Sequence, residues 1–333
     1  MKYLVTGAAG FIGSSVAHKL CEAGHEVVGI DNINSYYDPG LKLARLELLS
    51  PLGGFKFIKV DLSEKEAIAR IFSEHKFERV IHLGAQAGVR YSIDNPHAYI
   101  DSNINGHLNI LEGCRNNGIE HLVYASSSSV YGTSNSTPYK TSSAVDHPIS
   151  LYAATKRSNE LMAHTYSHLF DIPVTGLRFF TVYGPWGRPD MAPFKFTKAV
   201  MEGKAIEVYN NGNLSRDFTY IDDIVESILR IQNVVPQKDK FAMSSPDVST
   251  APFKTYNIGN GSPVSLTRFI EAIESATGIK AIKKFLPMQA GDVFTTHADT
   301  RELFNAIDYQ PKVSIEEGIS RFVGWYIDYY GKK

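Results

Sequence analysis

Along the first half of the chain, short apolar runs alternate with longer stretches whose apolar residues recur every three or four positions. The short runs are KYLVT at 2–6, EVVGID at 26–31, FKFIKVD at 55–61, RVIHLGA at 79–85 and HLVYASS at 121–127. They are rich in Val and Ile and nearly continuous, the pattern of strands covered on both faces. Between them, FIGSSVAHKLCEAG and the stretches at about Glu64–Glu74, Pro96–Asn117 and Leu151–Phe170 read as helices, and Asn117-Gly118 stops the third. IPVTGLRFF at 172–180 adds a further strand. Covered strands joined by helices make a parallel sheet, so the fold class is α/β, a doubly wound parallel sheet.

Beyond Gly184 the pattern loosens into PWGRPDMAP, NNGNLSRD and PQKDKFAMSSPDVSTAP, all rich in turn formers. This predicts a smaller second region, with Pro236–Pro252 as a mobile loop. The boundary falls at 1–181 and 182–333, with segments near 217–233 and 255–262 returning to the first domain. No internal repeat is present.

Composition changes this picture little. Of 333 residues, 43% are hydrophobic and 21% charged, with a formal net charge of −1, which lacks the basic excess of a nucleic-acid binder. The N-terminal apolar stretch is too short and glycine-rich for a signal peptide, and no window approaches a membrane span, so neither nucleic acid nor membrane is an expected partner and a cytoplasmic location is expected. Cys21 and Cys114 are the two cysteines. They offer no CxxC and no ligand-like spacing with His, so neither a disulfide framework nor a metal site is expected.

Chemistry enters with GAAGFIG, Gly7–Gly13, which follows the first strand and opens a helix. Gly7 suits a tight turn, Gly10 a close approach of backbone N–H groups to a pyrophosphate, and Gly13 close packing of helix on sheet. Phe11 and Ile12 lie in the same loop. Asp31 ends the second strand, where it would accept from the adenosine ribose hydroxyls, with Asn32 beside it. A carboxylate there repels a 2′-phosphate, and no Arg or Lys follows in NINSYYD, which favours NAD over NADP. Asp61-Leu62 either contacts the adenine or caps a helix.

HLVYASS runs into four consecutive serines, Ser126–Ser129, and LYAATK then places Tyr152 and Lys156 four apart on one helix face. A phenol titrates near ~10, too high for a base at neutral pH. A neighbouring ammonium would stabilise the phenolate, which could then take a proton from a sugar hydroxyl while a serine orients that oxygen.

GAAGFIG, SSSSVYG, YAATK, QAGVRYS and LRFFTVYGPWGRPDMAPFKF together resemble the extended short-chain dehydrogenases/reductases, specifically the UDP-glucuronate 4-epimerase group of nucleotide-sugar epimerases. The resemblance spans essentially the whole chain. It implies an NAD-binding Rossmann domain with a smaller C-terminal substrate domain. It also implies Ser127, Tyr152 and Lys156 as catalytic residues, Ala85 and Asn103 as part of the cofactor site, and a homodimer joined through a four-helix bundle of the Pro96–Asn117 and Leu151–Phe170 helices.

For a uronic acid, oxidation at C4 gives a β-keto acid that loses CO2 easily, so the carboxylate has to be held still. Ser128 and Ser129 would donate to it, or else serve only a local turn; Thr181 stands where relatives acting on neutral hexoses tend to carry Asn. Arg188 either adds charge complementarity or guards against decarboxylation, or else forms a surface salt bridge. Arg216 matches the diphosphate-binding arginine of such enzymes, the alternative being an ion pair with Asp217 or Asp222. Gln289 and Asp292 match positions that meet UDP, although several epimerases carry arginine at the former, a loss for which Arg90 would compensate. Tyr209 and Phe194 either flank uracil or pack in the core. The resulting expectation is reversible C4 epimerisation of UDP-glucuronate and UDP-galacturonate. The alternatives are a 4-epimerase of neutral or N-acetylated UDP-hexoses and a non-catalytic NAD-sensing protein.

Overall fold

A computed structural model describes residues 1–134, 136–288 and 293–331. In chain order the first half runs β1 (Lys2–Thr6), α1 (Phe11–Glu22), β2 (Glu26–Asp31), α2 (Pro39–Leu49), β3 (Phe55–Lys59), α3 (Lys65–His75) and β4 (Arg79–His82). It continues with two short helices, α4 (Tyr91–Asp94) and α5 (Pro96–Tyr99), then α6 (Gly106–Asn117), β5 (His121–Ser127), α7 (Leu151–Phe170) and β6 (Val174–Phe179). These strands pair in parallel in the order β6-β5-β4-β1-β2-β3. Alternate residues of β1 face opposite layers: Tyr3 and Val5 pack with α1, while Leu4 packs with the layer that contains Ile71, Ile110 and Ala163. Both faces are therefore buried, which is why the strands read as continuous apolar runs.

The expected helix over Pro96–Asn117 widens into a π-helical stretch at Ile100–Asn105. Within that stretch Asn103 turns back to bond both the N–H and the carbonyl of Gln86, at 2.8 and 3.1 Å. The local departure from α geometry thus supports the segment after β4, a common use of π turns.

The second half contributes β7 (Thr181–Tyr183), α8 (Ala192–Met201), β8 (Ala205–Val208), β9 (Ser215–Arg216), β10 (Phe218–Tyr220) and α9 (Ile221–Ile231). It ends with β11 (Phe253–Ile258), β12 (Val264–Ser265), α10 (Leu266–Thr277), β13 (Ile282–Phe285), α11 (Arg301–Ile307) and α12 (Ile315–Tyr330). β11 adds to the edge of the main sheet beside β6, completing seven strands. The remaining strands form two-stranded pairs, β7 with β10, β9 with β12 and β8 with β13. α9 packs on α1, covering the main sheet.

The segment expected to be a loop, Pro236–Pro252, is irregular but pinned at one point. Asp247 is buried and accepts from Ser245, Thr141 and Lys254. Among the described residues no helix is long and apolar enough to cross a membrane, and no group of three His, Cys, Asp or Glu side chains could hold a metal ion.

Candidate active site

The strand order reverses between β1 and β4, and a ligand crevice forms where neighbouring connections leave in opposite directions. A cleft of about 990 Å³ opens there. Gly7 leaves β1 with φ +71°, and a Cβ on it would meet the Gly84 backbone at 2.9 Å. A Cβ on Gly13 would fall 2.1 Å from the Gly7 carbonyl oxygen, so α1 can approach the loop only with glycine there. The N-cap of α1, Gly10, makes no side-chain capping bond, which leaves the N–H groups of its first turn to an anionic ligand.

Gly7, Gly10, Phe11, Ile12, Gly13, Asp31, Asn32, Asp61, Leu62 and Ala85 all line this cleft. The Asp31 carboxylate accepts from Ile33 N at 2.8 Å. Asp61 does not cap α3, whose N-cap is Glu64; it accepts instead from Asn32 Nδ2 at 2.6 Å and from Ser63. Burial pushes the Asp61 carboxyl up, but the bonds from Asn32 and Ser63 outweigh it and hold the group ionised. Asn103 is 2% exposed and stands behind the wall, so it acts through Gln86 rather than as part of the cleft surface. A glycine cradle with helical N–H groups that no side chain caps, sharing one cleft with the Asp31 carboxylate, fits NAD.

The four serines divide by strand alternation. Ser126 borders the cleft, but its hydroxyl donates to Glu160 at 2.6 Å, and Glu160 pairs with Arg178 at 2.8 and 2.9 Å, all three buried. Ser127 points the other way; its hydroxyl accepts from Ser129 N and lies 3.1 Å from Ser129 Oγ. Ser128 opens a 3-10 turn, and Ser127, Ser128 and Ser129 line the cleft beside Ser126.

Ser150 caps α7 by accepting from Ala153 N, which sets Tyr152 in the first turn, in the cleft wall. Burial raises the Tyr152 pKa, opposed by a hydrogen bond from Ser127 and by the charge of Arg188. Lys156 follows one turn later, but its Nζ donates to the Ala125 carbonyl at 2.8 Å. One of its three N–H donors is thus used to tie α7 to β5, and the Arg188 guanidinium adds a second positive charge that favours the Tyr152 phenolate. Burial lowers the Lys156 pKa to about 8.

On the opposite wall, Thr181, Arg90, Arg188, Tyr209 and Arg216 line the cleft. Arg188 is not in a surface salt bridge; it forms a half-buried pair with Asp190, 3.0 Å through Nε and 2.5 Å through Nη2, and Tyr36 donates to the same carboxylate at 3.0 Å. Arg216 donates to the carbonyls of Ser215 and Phe294. The carboxylates proposed as its partners are engaged elsewhere, Asp217 with N–H groups of Asn260, Gly261 and Ala298, and Asp222 with Arg321. Phe194 is a correction: it is 6% exposed and packs edge-on against Tyr326 and Tyr330, while Phe196, on another side of α8, lines the cleft. Gln289 and Asp292 lie outside the described residues. Sequence reasoning missed Tyr36, Lys42, Gln86 and Asp190, which line the same cleft; Gln86 and Asp190 stand inside QAGVRYS and GPWGRPD but were not singled out there.

A phosphate-cradling glycine loop sharing one crevice with a hydroxyl, a phenol and a buried amine defines a dinucleotide-dependent α/β enzyme. Residues 3–259 match the NAD dependent epimerase/dehydratase family, and the chain belongs to that family. It is 55% identical to Protein CapI of Staphylococcus aureus over the full length of both chains. It is 48% identical to the probable UDP-glucuronate 4-epimerase of Rhizobium meliloti (strain 1021), covering 99% of this chain and 98% of that one. The structure of UDP-glucuronic acid 4-epimerase from Bacillus cereus, in complex with UDP-glucuronic acid and NAD, superposes with a TM-score of 0.86 at 32% identity, covering 98% of this chain and 99% of that one.

Proposed function

We infer that this protein is an NAD-dependent enzyme that interconverts UDP-glucuronate and UDP-galacturonate by inversion at C4. The observation that carries the reading is the convergence of Ser127 and Tyr152 with Ser128, Ser129 and Thr181 in one cleft beside the glycine cradle. Bound NAD supplies the acceptor for the C4 hydride and its return to the opposite face. Tyr152 removes the proton from O4, and Ser127 orients that oxygen. Arg188 stabilises the phenolate by charge, and Lys156 holds α7 against β5 while placing an ammonium at the cofactor side of the cleft.

Ser128, Ser129 and Thr181 hold the C6 carboxylate. Their role is to keep the C5–C6 bond out of line with the C4 carbonyl π system, so that the 4-keto intermediate rotates without losing CO2. Hydroxyls suit this task because each donates one directional bond of modest strength to a charged acceptor. Arg216 binds the diphosphate, for which a planar guanidinium is well shaped. Oxidation and reduction cancel, so catalysis consumes no cofactor.

The test is incubation of the purified protein with UDP-glucuronate, followed by proton NMR of the anomeric and H4 signals. UDP-galacturonate should accumulate to a fixed ratio that is also reached from UDP-galacturonate. Turnover of UDP-N-acetylglucosamine without turnover of UDP-glucuronate would overturn the reading.

We propose in addition that two copies associate through α6 and α7. Leu108, Leu161, Leu169 and Phe170 are exposed along these helices, at 37%, 54%, 61% and 36%, an apolar face that pairing would cover. Light scattering should give a mass near twice that of the chain. Cys21 and Cys114 are free thiols, which suits a reducing, cytoplasmic setting.

A further inference from the structure

The segment directly after Asp31 contains no cation, yet the fold brings one to it. Lys42 projects from the first turn of α2 into the cofactor side of the cleft, 5% exposed, and its Nζ lies 3.9 Å from Asp31 Oδ1. Asn34 fixes the ammonium by accepting from it at 2.8 Å, and Tyr37 presents its ring face at 5.0 Å. Asp31 itself is oriented by Ile33 N, so both charges are held at set positions rather than waving in solvent. The Asp31 carboxylate is therefore not isolated at the ribose end of the crevice but stands beside a buried ammonium.

We propose that cofactor choice is made by the Asp31–Lys42 pair rather than by Asp31 alone, and that Lys42 is a latent 2′-phosphate site which Asp31 keeps closed. The inference rests on the NAD-binding reading. Two features carry it. A carboxylate excludes a ribose phosphate by repulsion and by accepting from the 2′-hydroxyl, so its removal abolishes both. What then remains is a buried ammonium, and among the described residues Asn34 takes only one of its three N–H donors in a hydrogen bond. A phosphate monoester carries about two negative charges and strong acceptor oxygens, so it suits the donors left over. Lys42 has a second effect in the native protein: by offsetting part of the Asp31 charge, it weakens the rejection of NADP below what an isolated carboxylate would give.

Five proteins test this: the native chain, Asp31→Ser, Asp31→Asn, Lys42→Met and the Asp31→Ser/Lys42→Met double variant. Each is exchanged into an equimolar excess of NAD and NADP, and the bound dinucleotide is released with acid and identified by chromatography. Thermal shifts with NAD and with NADP, added separately, give a second readout that needs no turnover. Asp31→Ser should move the bound ratio toward NADP by about tenfold or more. The double variant should lose most of that gain, and Lys42→Met alone should move the ratio further toward NAD. Asp31→Asn, which keeps the side-chain shape, should move in the same direction as Asp31→Ser by a smaller factor and guards against misfolding of the serine variant. An unchanged ratio in both Asp31 variants, or a double variant that keeps the whole gain, would overturn the proposal. A native protein that retains neither dinucleotide would instead defeat the NAD-binding reading on which it stands.

Discussion

Lys156 Nζ donates to the carbonyl oxygen of Ala125 at 2.8 Å, joining the helix that carries Tyr152 to the strand that ends in the serines. The ammonium is deeply buried, and its pKa falls from the usual 10.5 to about 8. A charge that titrates lower in the folded chain than in the unfolded one is a cost below the folded pKa. The cost fades as pH rises from about 8 to 10.5. Lys156→Met should therefore stabilise the protein at neutral pH by about 2 kcal/mol: about 3 from the relieved charge, less about 1 for the lost hydrogen bond. The gain should shrink above about pH 8 and turn into a loss of about 1 kcal/mol near pH 10.5, and turnover should be lost throughout. Denaturant unfolding at the two pH values checks it.

Tyr152 has to be ionised to take the O4 proton, so turnover should rise with pH through its pKa. Burial raises that pKa, while Ser127 and Arg188 lower it. Ser127→Ala and Arg188→Met should each displace the acid limb of the kcat profile to higher pH. Tyr152→Phe should reduce kcat by a factor on the order of 10² to 10⁴ while UDP-sugar binding persists. Rate profiles and calorimetric titration separate the two effects.

Ser126 belongs to the support of the site and not to its chemistry, because its hydroxyl is spent on the buried Glu160–Arg178 pair. Glu160→Ala leaves the Arg178 guanidinium buried without its partner and should cost about 3–5 kcal/mol. Ser126→Ala should cost only about 1 kcal/mol and leave turnover per folded molecule unchanged. Chemical denaturation alongside specific activity distinguishes the two.

Gly13→Ala places a methyl group 2.1 Å from the Gly7 carbonyl oxygen, so the loop has to open and lose its grip on the pyrophosphate. Bound NAD per chain should fall more than about tenfold, a penalty of about 1.4 kcal/mol or more. Gly53→Ala, with no atom within 4 Å of the new methyl, should keep its cofactor. Chromatography of released nucleotide measures both.

These predictions mix residues that the sequence announces with residues that it hides. The strands of the first half are legible because sheets covered on both faces demand unbroken apolar runs, as in KYLVT and HLVYASS. β11 is less so: Phe253–Ile258 alternates buried and half-buried positions and follows a long irregular segment, although it closes the sheet beside β6. Gly7–Gly13, Tyr152 and Lys156 are visible because backbone approach and helical spacing fix residue type and interval. Asp190 and Tyr36 were not, since a bond between residues 154 positions apart leaves no local pattern. Phe194 was misjudged because it and Phe196 are both apolar and two apart on α8, so composition does not say which side meets the cleft. Lys42 is not legible beside Asp31 because α2 returns it to the ribose site from 11 residues downstream.

The central claim is that one hydrogen leaves C4 and comes back to C4 while Tyr152 handles the proton on O4. UDP-glucuronate deuterated at C4, incubated with the enzyme in ordinary water and examined by NMR and mass spectrometry, tests it most directly. The account predicts UDP-galacturonate that keeps its deuterium at C4, with no accumulation of reduced cofactor. Loss of the label to solvent would contradict it, because inversion would then proceed by exchange of a proton rather than by return of the hydride.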